Sequence, residues 1–454
     1  MGKRRLGVPP DRENRINSPD NRKIGFWTCI ALVVGNTIGV GIFLLPSSLA
    51  PYGLNSLIGW AIPLLGCLAL ARVLSSLAHA LPQADGPYGY IRGTLGELPA
   101  FVALWAYWVS AWLTNAALAI GVIGYVHAVF PATAVIPSAL LALCLLWPAV
   151  LVNLFGVRAG GGVQIVTTAL KLLPILAVAL LGAWILLSAP ATYVAHTPTT
   201  PISMYGVMTA STIALYAMLG FESGSVPAAR VKDPGRTIPR ATMLGTLLLA
   251  IIYMAASTVL LLLIPQRELS VASAPFSLLV DRFVGVGSGR WLALFVVVSG
   301  VGAINGWTLL VGELTRTMAS NGVMPAIFAR NNRHGAPAAA LILTSGLASI
   351  MVLMNYSQAL VAAFTFVSLT VTAATLPLYL GCAMALVVLW RRGTAVRSRR
   401  DALPAAVIGI AFVIFAFAGA GREPLLLDFA LAAAGLPLYA FMKWRTRVTM
   451  PPDA

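Results

Sequence analysis

Two glycine-rich interruptions inside apolar segments decide how this chain folds. The first reads Gly35-Asn36-Thr37-Ile38-Gly39-Val40-Gly41-Ile42-Phe43, and the second reads Gly220-Phe221-Glu222-Ser223-Gly224. Each interrupts an apolar segment long enough to cross a bilayer as a helix. Interrupted helices at corresponding places in two halves of a membrane chain are typical of transporter binding sites. A GxxxG packing face is the alternative for Gly35 and Gly39, but it leaves the second cluster unexplained.

Such interruptions have a direct chemical consequence. An unwound turn frees backbone N–H and C=O groups, and the half-helix that follows it carries partial positive charge at its N-terminus. Freed N–H groups suit a carboxylate, and freed carbonyls suit an ammonium group. The pattern therefore predicts a site for a small zwitterion within the membrane.

The composition excludes a water-soluble enzyme. The chain has 454 residues, of which 59% are hydrophobic and 10% charged, with a mean hydropathy of +0.87, whereas soluble domains carry about 25% charged residues. A spanning helix needs about 20 mainly apolar residues. Twelve segments meet this need, at 24–50, 54–80, 98–130, 135–155, 162–187, 203–229, 239–264, 290–320, 338–355, 358–390, 403–421 and 425–444.

The net charge of +16 is explained by the orientation of these segments. Of the 30 Lys and Arg residues, seven lie in residues 1–23, fourteen in the loops on the same side and three in the C-terminal tail, whereas the opposite loops hold four. Because cytoplasmic loops collect Lys and Arg, we expect a multi-pass protein of the cell membrane with both termini in the cytoplasm. We expect a basic tail at 1–23, a transporter domain at 24–444 and a second tail at 445–454, and we expect no nucleic-acid partner.

Several motifs resemble those of the amino acid–polyamine–organocation (APC) transporters. They include Gly39-Val40-Gly41-Ile42-Phe43-Leu44-Leu45-Pro46, Tyr88-Gly89-Tyr90, Gly220-Phe221-Glu222-Ser223 and Gly306-Trp307-Thr308-Leu309-Leu310. Within that superfamily the bacterial arginine/agmatine antiporters look most similar. The resemblance implies an all-α polytopic membrane protein with twelve transmembrane helices, in which a LeuT-like five-plus-five inverted repeat with discontinuous helices 1 and 6 carries two extra helices. It also implies a substrate held between spans 1, 3, 6, 8 and 10, and often a homodimer.

The same resemblance assigns candidate site residues. The backbone near Thr37, Val40 and Gly41 would receive the substrate carboxylate, and carbonyls near Tyr216 and Leu219 would receive the α-ammonium. Trp307 would stack on a cationic side chain, and Asn115 would bind its far end. The remaining assignments are pocket walls at Ser110, Ala111 and Thr370 and gates at Tyr88 and Tyr107. Because Val40 replaces a serine of the antiporters and Tyr216 a tryptophan, the preference for arginine stays open.

Two ionisable residues inside the apolar segments are functional candidates, since burial of a charge in a membrane is costly. Glu222 matches the acidic residue linked to proton sensing in the antiporters, and a hydrogen-bonded structural carboxyl is the alternative. Lys171 resembles the span-5 lysine of sodium-independent members, where the ammonium takes the place of a sodium ion. The alternatives for Lys171 are a proton carrier or a side chain that snorkels to the interface.

Other polar groups favour structural roles. Glu313 and Arg316 lie three residues apart, which permits an ion pair. Cys29, Cys67, Cys144 and Cys382 lie in apolar runs without a CxxC pair or a histidine at ligand spacing. They predict buried hydrophobic side chains and neither disulfides nor a metal site.

The function that follows is a sodium-independent antiporter of cationic amino acids, with arginine and agmatine as the leading pair, working by alternating access. The alternative is a proton-coupled or exchanging carrier of neutral amino acids, favoured by Lys171, Val40 and Tyr216. An enzyme or sensor with the same fold is a third class, but the chain has no HExxH motif, P-loop or Ser/His/Asp grouping. We therefore expect no enzymatic activity and no cofactor, with an amino acid or amine and the lipid bilayer as partners. Proton stoichiometry and flux direction do not follow from the sequence.

Overall fold

The computed structural model describes the chain at residues 25–84, 86–155, 157–189, 198, 200–221, 234–355, 357–393 and 399–449. Within these ranges the chain forms helices joined by turns and contains no strand. The prediction of an all-α protein is confirmed.

The α-helices of the described ranges follow one another closely along the chain. They are α1 (Phe26–Thr37), α2 (Gly41–Leu49), α3 (Asn55–Ala80), α4 (Gly86–Leu95), α5 (Glu97–Val129), α6 (Ser138–Leu154), α7 (Val157–Ser188), α8 (Met204–Met218), α9 (Pro234–Leu263), α10 (Gln266–Leu269), α11 (Pro275–Phe283), α12 (Gly289–Ser320), α13 (Ala338–Met354), α14 (Leu360–Arg391), α15 (Arg399–Gly419) and α16 (Arg422–Thr449). Short 3-10 turns lie at Ala50–Tyr52, Pro131–Val135 and Ala326–Ala329.

Many of these helices are suited to a membrane. In the described part of the chain, eight are long and apolar enough to cross one: α3, α5, α12, α14, and the stretches Leu170–Ser188, Arg240–Leu263, Arg400–Gly419 and Arg422–Trp444. Helices α6, α8 and α13 are apolar but shorter. The chain is therefore a multi-pass membrane protein.

The helix of the first apolar segment is interrupted, as predicted. The interruption begins a few residues after the first glycine of the cluster. Gly35 lies inside α1, which continues to Thr37 because the Ile38 N–H still donates to Val34 O at 3.0 Å. Ile38 then turns to extended backbone, with φ −69° and ψ 95°, and α2 starts at Gly41. The unwound turn is thus Ile38–Val40, only three residues long.

The sixth apolar segment also leaves helical geometry at the predicted place. Helix α8 ends at Met218, and Leu219 is extended with φ −62° and ψ 146°. Gly220 has φ 100°, a left-handed conformation that glycine adopts without the steric cost of a Cβ atom. The predicted proton residue Glu222 and its neighbours to Asp233 lie outside the described residues.

Helix α5 forms the centre of the bundle, and its most apolar stretch is buried throughout. It packs against α14, α12 and α13. Small residues along it, such as Ala116, Ala117 and Gly121, permit this close approach. The position of each residue on α5 is therefore fixed by neighbours on several sides, which makes it a rigid support for a site.

One prediction about the cysteines is wrong. Cys144 is exposed on the outer surface of α6, whereas Cys29, Cys67 and Cys382 are buried. The physical reason is that a lipid-facing position of a membrane helix is as apolar as a core position. An apolar run therefore does not distinguish the two.

Candidate functional site

A small cavity lies between the break of the first segment and the end of α8. Its walls come from five regions: the α1–α2 break, α5, the end of α8, α9 and α12. The lining residues are Thr37, Gly39, Gly41, Ile42, Thr114, Leu118, Tyr216, Ala217, Leu219, Tyr253 and Trp307. The cavity measures about 20 Å³, roughly what one water molecule needs. Binding of anything larger requires the walls to move.

Two helix ends face this cavity with opposite partial charge. Gly41 and Ile42 line it at the first turn of α2, where the backbone N–H groups have no acceptor within the helix. Leu219 lines it at the end of α8, where its N–H donates to Tyr216 O at 3.3 Å. The α2 end favours an anion and the α8 end favours a cation. An amino acid carries both groups on one carbon, so the arrangement suits its backbone.

Tyr216 packs directly over Gly41. A Cβ atom on Gly41 would overlap the Tyr216 ring, so glycine is what lets the ring lie there. The other side of the ring meets Phe364 of α14 edge to face, with centroids 5.7 Å apart at 84°. The Tyr216 hydroxyl is buried and has no hydrogen-bond partner among the described residues.

Aromatic side chains form much of the remaining wall. Trp307 of α12 is half-buried and lines the cavity together with Tyr253 of α9. Tyr253 is fully buried, lies 6.1 Å from the Trp60 ring, and its hydroxyl has no partner within the described ranges. Tyr216, Tyr253 and Trp307 thus present three π systems, which attract an organic cation.

Tyr253 is a lining residue that the sequence analysis missed. It is the one aromatic residue in the apolar segment 239–264. A lone aromatic residue with a polar hydroxyl in this segment is the signal that would have found it, because a buried polar group needs a partner.

Asn115 sits on α5 with its whole amide group buried and unpartnered by any described residue. Two contacts fix the register of α5 against α12. Trp108 Nε1 donates to Thr315 Oγ1 at 2.7 Å, and Val122 fills the space beside Gly300. Asn115 is midway between the two α5 contacts.

On α12 the two contact residues are Thr315 and Gly300, and Trp307 and Thr308 lie midway between them. Trp307 and Thr308 are therefore at the level of Asn115. Thr308 is fully buried, and its hydroxyl also lacks a partner in the described ranges. Unpaired buried amide and hydroxyl groups cost free energy, and functional sites are where proteins retain such costs. Asn115 and Thr308 therefore offer unused hydrogen-bonding groups beside the cavity.

The structure brings some of the predicted site residues together and leaves others nearby. The predicted residues that line the cavity are Thr37, Gly41, Tyr216, Leu219 and Trp307. Those that are buried but do not line it are Val40, Ser110, Ala111, Asn115 and Thr370.

Local contacts explain the second group. The Val40 side chain points toward α12, where it would lie 3.2 Å from a Cβ atom on Gly300. Ser110 Oγ donates to Tyr107 O at 2.7 Å, and Thr370 Oγ1 donates to Phe366 O at 2.9 Å. Both hydroxyls are thus used by their own helices in this conformation.

Lys171 of α7 is 2% exposed, so it does not snorkel to an interface. No described carboxylate pairs with it. Gly182 of α7 meets Val259 of α9, and Gly245 of α9 packs on Val33 of α1. Helix α7, which carries Lys171, also contacts α1, the helix that leads into the unwound turn.

A large vestibule opens at the end of the bundle where α3 begins. It has a volume of about 750 Å³, and its lining includes Tyr52, Tyr205, Phe366, Leu369 and Pro424. A second, smaller groove of about 230 Å³ lies at the opposite end, where α4 and α5 begin.

The predicted gate residues lie on the groove side of the cavity. Tyr88 lines the groove, and Tyr107 is two turns nearer to it than the cavity residue Thr114. The predicted pair of Glu313 and Arg316 is confirmed, at 2.7 Å on the part-exposed surface of α12.

Known proteins resemble the chain over nearly its whole length. The putrescine transporter PotE of Haemophilus influenzae is 27% identical over 94% of this chain and 99% of its own. The cadaverine/lysine antiporter of Escherichia coli K12 is 30% identical over 92% of this chain and 95% of its own.

A solved structure shares the fold. The crystal structure of the Eremococcus coleocola manganese transporter, in complex with an aromatic bis-isothiourea substituted compound, matches with a TM-score of 0.54 at 13% identity, over 98% of both chains. The family described as amino acid permease matches residues 24–424. The chain therefore belongs to the amino acid permease family of the APC superfamily.

Proposed function

We propose that this protein exchanges a cationic amino acid for its decarboxylated amine by alternating access, without sodium. The observation that supports this most is the central cavity, where two helix ends of opposite charge meet three aromatic rings. Arginine with agmatine is the pair suggested by the sequence motifs. The relatives named for putrescine and for cadaverine with lysine make lysine and the aliphatic diamines further candidates.

Once the walls have moved apart, each part of such a substrate would have a partner among the groups around the cavity. The α-carboxylate would bind the N–H groups at the start of α2, and the α-ammonium would bind carbonyls at the end of α8. The side-chain cation would lie against Trp307, with Asn115 and Thr308 at the same level. The decarboxylated amine lacks only the carboxylate, so it would use the same site with one contact fewer.

Lys171 supplies a reason for sodium independence. Its side chain is buried on α7, a helix that contacts α1, and a fixed positive charge beside the α1–α2 break would stabilise freed carbonyls of α1. We infer that this charge removes the need for a bound Na⁺, and that Glu222 contributes the proton dependence.

The wider architecture belongs to the same proposal. We infer twelve spanning helices with a five-plus-five inverted repeat, both termini in the cytoplasm and a place in the cell membrane. The 24-to-4 distribution of basic residues supports that orientation.

A carrier of neutral amino acids is the second candidate. The observation in its favour is that the described lining of the cavity contains no carboxylate to pair with a side-chain cation. The aromatic rings would then hold an apolar side chain by burial alone.

Competition separates the two candidates. Purified protein in proteoliposomes would take up a labelled substrate in the presence of arginine, lysine, agmatine, cadaverine, putrescine, leucine or alanine. The proposal predicts that basic amino acids and their amines compete best. Stronger competition by leucine or alanine would overturn it in favour of the neutral carrier.

A further inference from the structure

Asp428 is an acidic residue inside the last apolar helix, six residues after α16 begins. Both of its carboxyl oxygens are buried by protein atoms and have no hydrogen-bond partner among the described residues. Neither the proposed substrate site nor the proton role of Glu222 involves it. An ionised carboxylate without partners is very unfavourable inside a membrane protein, so a carboxyl group in this position needs either a partner or a proton.

The surroundings of Asp428 follow from the register of α16 against α5. Near the groove Lys443 Nζ pairs with Glu97 Oε2 at 3.2 Å. One turn further along, the rings of Tyr439 and Phe101 lie 4.8 Å apart. The two helices are antiparallel, so that each residue further along α5 lies opposite one residue earlier on α16.

The next turn continues this pattern. A Cβ atom on Gly435 would lie 2.7 Å from the Trp105 ring, and Trp105 Nε1 donates to Leu431 O at 2.9 Å. Seven more residues along each helix, two turns on the same face, lead to Trp112 on α5 and Asp428 on α16. The register therefore places Trp112 and Asp428 at the same level of the α5–α16 interface.

Trp112 Nε1 is itself buried and unpartnered in the described ranges. An unused N–H donor and an unused carboxyl thus lie at the same level of one helix interface. The indole N–H is a donor only, so it is suited to stabilise the ionised form of a carboxyl group that faces it. The proton that leaves Asp428 needs a route to water.

The vestibule is the opening nearest to Asp428 along α16. Pro424 lines the vestibule floor one turn before Asp428 on α16. The groove at the other end is farther away, since Tyr439, the groove residue of α16 nearest to Asp428, is about three turns from it.

Charged and titratable groups close to Asp428 are few in the described part of the chain. On its own helix Arg422 and Glu423 lie at the vestibule rim. On α5 the nearest such group is Tyr107, which lies more than a turn away on another face of the helix, and on α14 it is Tyr379, which packs against Phe221. Trp112 is thus the polar group that the register brings to Asp428.

We propose that Asp428 is a proton-binding site of this transporter, exchanging its proton with the water of the vestibule, and that the Trp112 N–H stabilises the carboxylate left behind. The site is separate from Glu222 and does not depend on which substrate is carried.

Infrared spectroscopy of the purified, reconstituted protein tests the proposal without any transport measurement. Difference spectra between acidic and alkaline buffer would show a C=O band of a buried protonated carboxyl group. We expect the band to be missing in Asp428→Asn and retained in Glu423→Gln, the matched control at the vestibule rim. Asp428→Glu keeps a carboxyl group and should shift the band in frequency, which tests the assignment if the asparagine variant is not obtained folded.

Trp112→Phe tests the second half of the proposal. Without the indole donor, the band should persist to higher pH by roughly one unit. An unchanged difference spectrum in Asp428→Asn would overturn the proton site, and an unchanged titration in Trp112→Phe would overturn the role of Trp112. Because no substrate is present, a failure of the proposed exchange activity leaves both results interpretable.

Discussion

Gly41, at the α1–α2 break, lies directly against the ring of Tyr216 on α8. Gly41→Ala places a methyl group where the Tyr216 ring now lies, so the ring must leave its position against Phe364. Overpacking of this kind costs roughly 1–3 kcal/mol, and we expect exchange to fall about 10-fold. The measurement is the initial rate of exchange in proteoliposomes.

Gly346→Ala is the matched control for this substitution. It lies on α13, and an added Cβ atom there meets nothing within 4 Å. We expect it to keep the rate of the unmodified protein. Equal rates for the two alanine variants would show that the Gly41–Tyr216 contact has no part in transport.

Substitution of Trp307 tests the proposed cation site. Trp307→Leu removes the ring, and a cation–π contact is worth roughly 0.5–2 kcal/mol, so the KM for a basic amino acid should rise about 2- to 30-fold. Trp307→Phe should raise it less. Trp291→Leu, at an exposed position of the same helix, should leave KM unchanged, and an unchanged KM in Trp307→Leu would contradict the cation site.

Residues differ in how far the sequence alone could identify them. Trp307, Tyr216 and Gly41 stand next to glycine clusters or in recognisable motifs, and the structure places all three on the cavity. Tyr253 has no such neighbours and reaches the cavity only because α9 packs beside α1. Asp428 could have been found from the sequence, since it is an ionisable residue inside the apolar segment 425–444; only its neighbours depend on the register of α16 against α5.

At the scale of elements, the interrupted helices were predictable and their boundaries were not. Glycine frequency marks where a helix is weak. The actual ends at Thr37 and Met218 depend on which backbone N–H groups still find an acceptor. That choice involves neighbouring helices, which no local sequence pattern contains.

The α5–α12 interface rests on a buried hydrogen bond from Trp108 to Thr315. Thr315→Val keeps the shape but leaves the indole N–H unpaired, at a cost of roughly 1–3 kcal/mol. We expect a lower thermal unfolding temperature in detergent, measured by light scattering or intrinsic fluorescence. Thr317→Val changes an exposed threonine of the same helix, and we expect no comparable shift; equal shifts would contradict the account of this interface.

Lys171 is a buried lysine of α7, and its charge is the basis of the proposed sodium independence. We expect exchange by the unmodified protein to be the same in sodium, potassium or choline buffer. Lys171→Met keeps most of the length of the side chain but removes the charge, and we expect less than about a tenth of the rate, since ionisable residues retained inside membrane segments are typically functional.

The control for Lys171 is Lys443→Met, which removes an exposed lysine paired with Glu97 and should have little effect. Stimulation of the unmodified protein by sodium would contradict the assigned role. So would full activity of Lys171→Met.

At the scale of the whole molecule, hydropathy and charge were enough to predict a multi-pass helical membrane protein. They could not show which apolar faces are buried, because lipid and protein interior select the same side chains. Cys144 on the surface of α6 and the lipid-facing side of α16 are examples. The small volume of the cavity was also beyond prediction, since it depends on how the rings of Tyr216 and Trp307 close over it.

The whole molecule presents a wide vestibule at one end, a closed cavity at the centre and a narrower groove at the other end. That distribution fits a transporter in which access to the central site changes from one side to the other. Exchange then requires that the loaded protein changes conformation more readily than the empty one.

Counterflow tests this central claim most directly. Proteoliposomes loaded with unlabelled arginine or lysine, and otherwise identical empty ones, would be given labelled agmatine or cadaverine outside. The account predicts rapid uptake into loaded vesicles and uptake near background into empty ones. Equal uptake into loaded and empty vesicles would contradict exchange, and no uptake of any basic amino acid or amine would contradict the assigned substrate class.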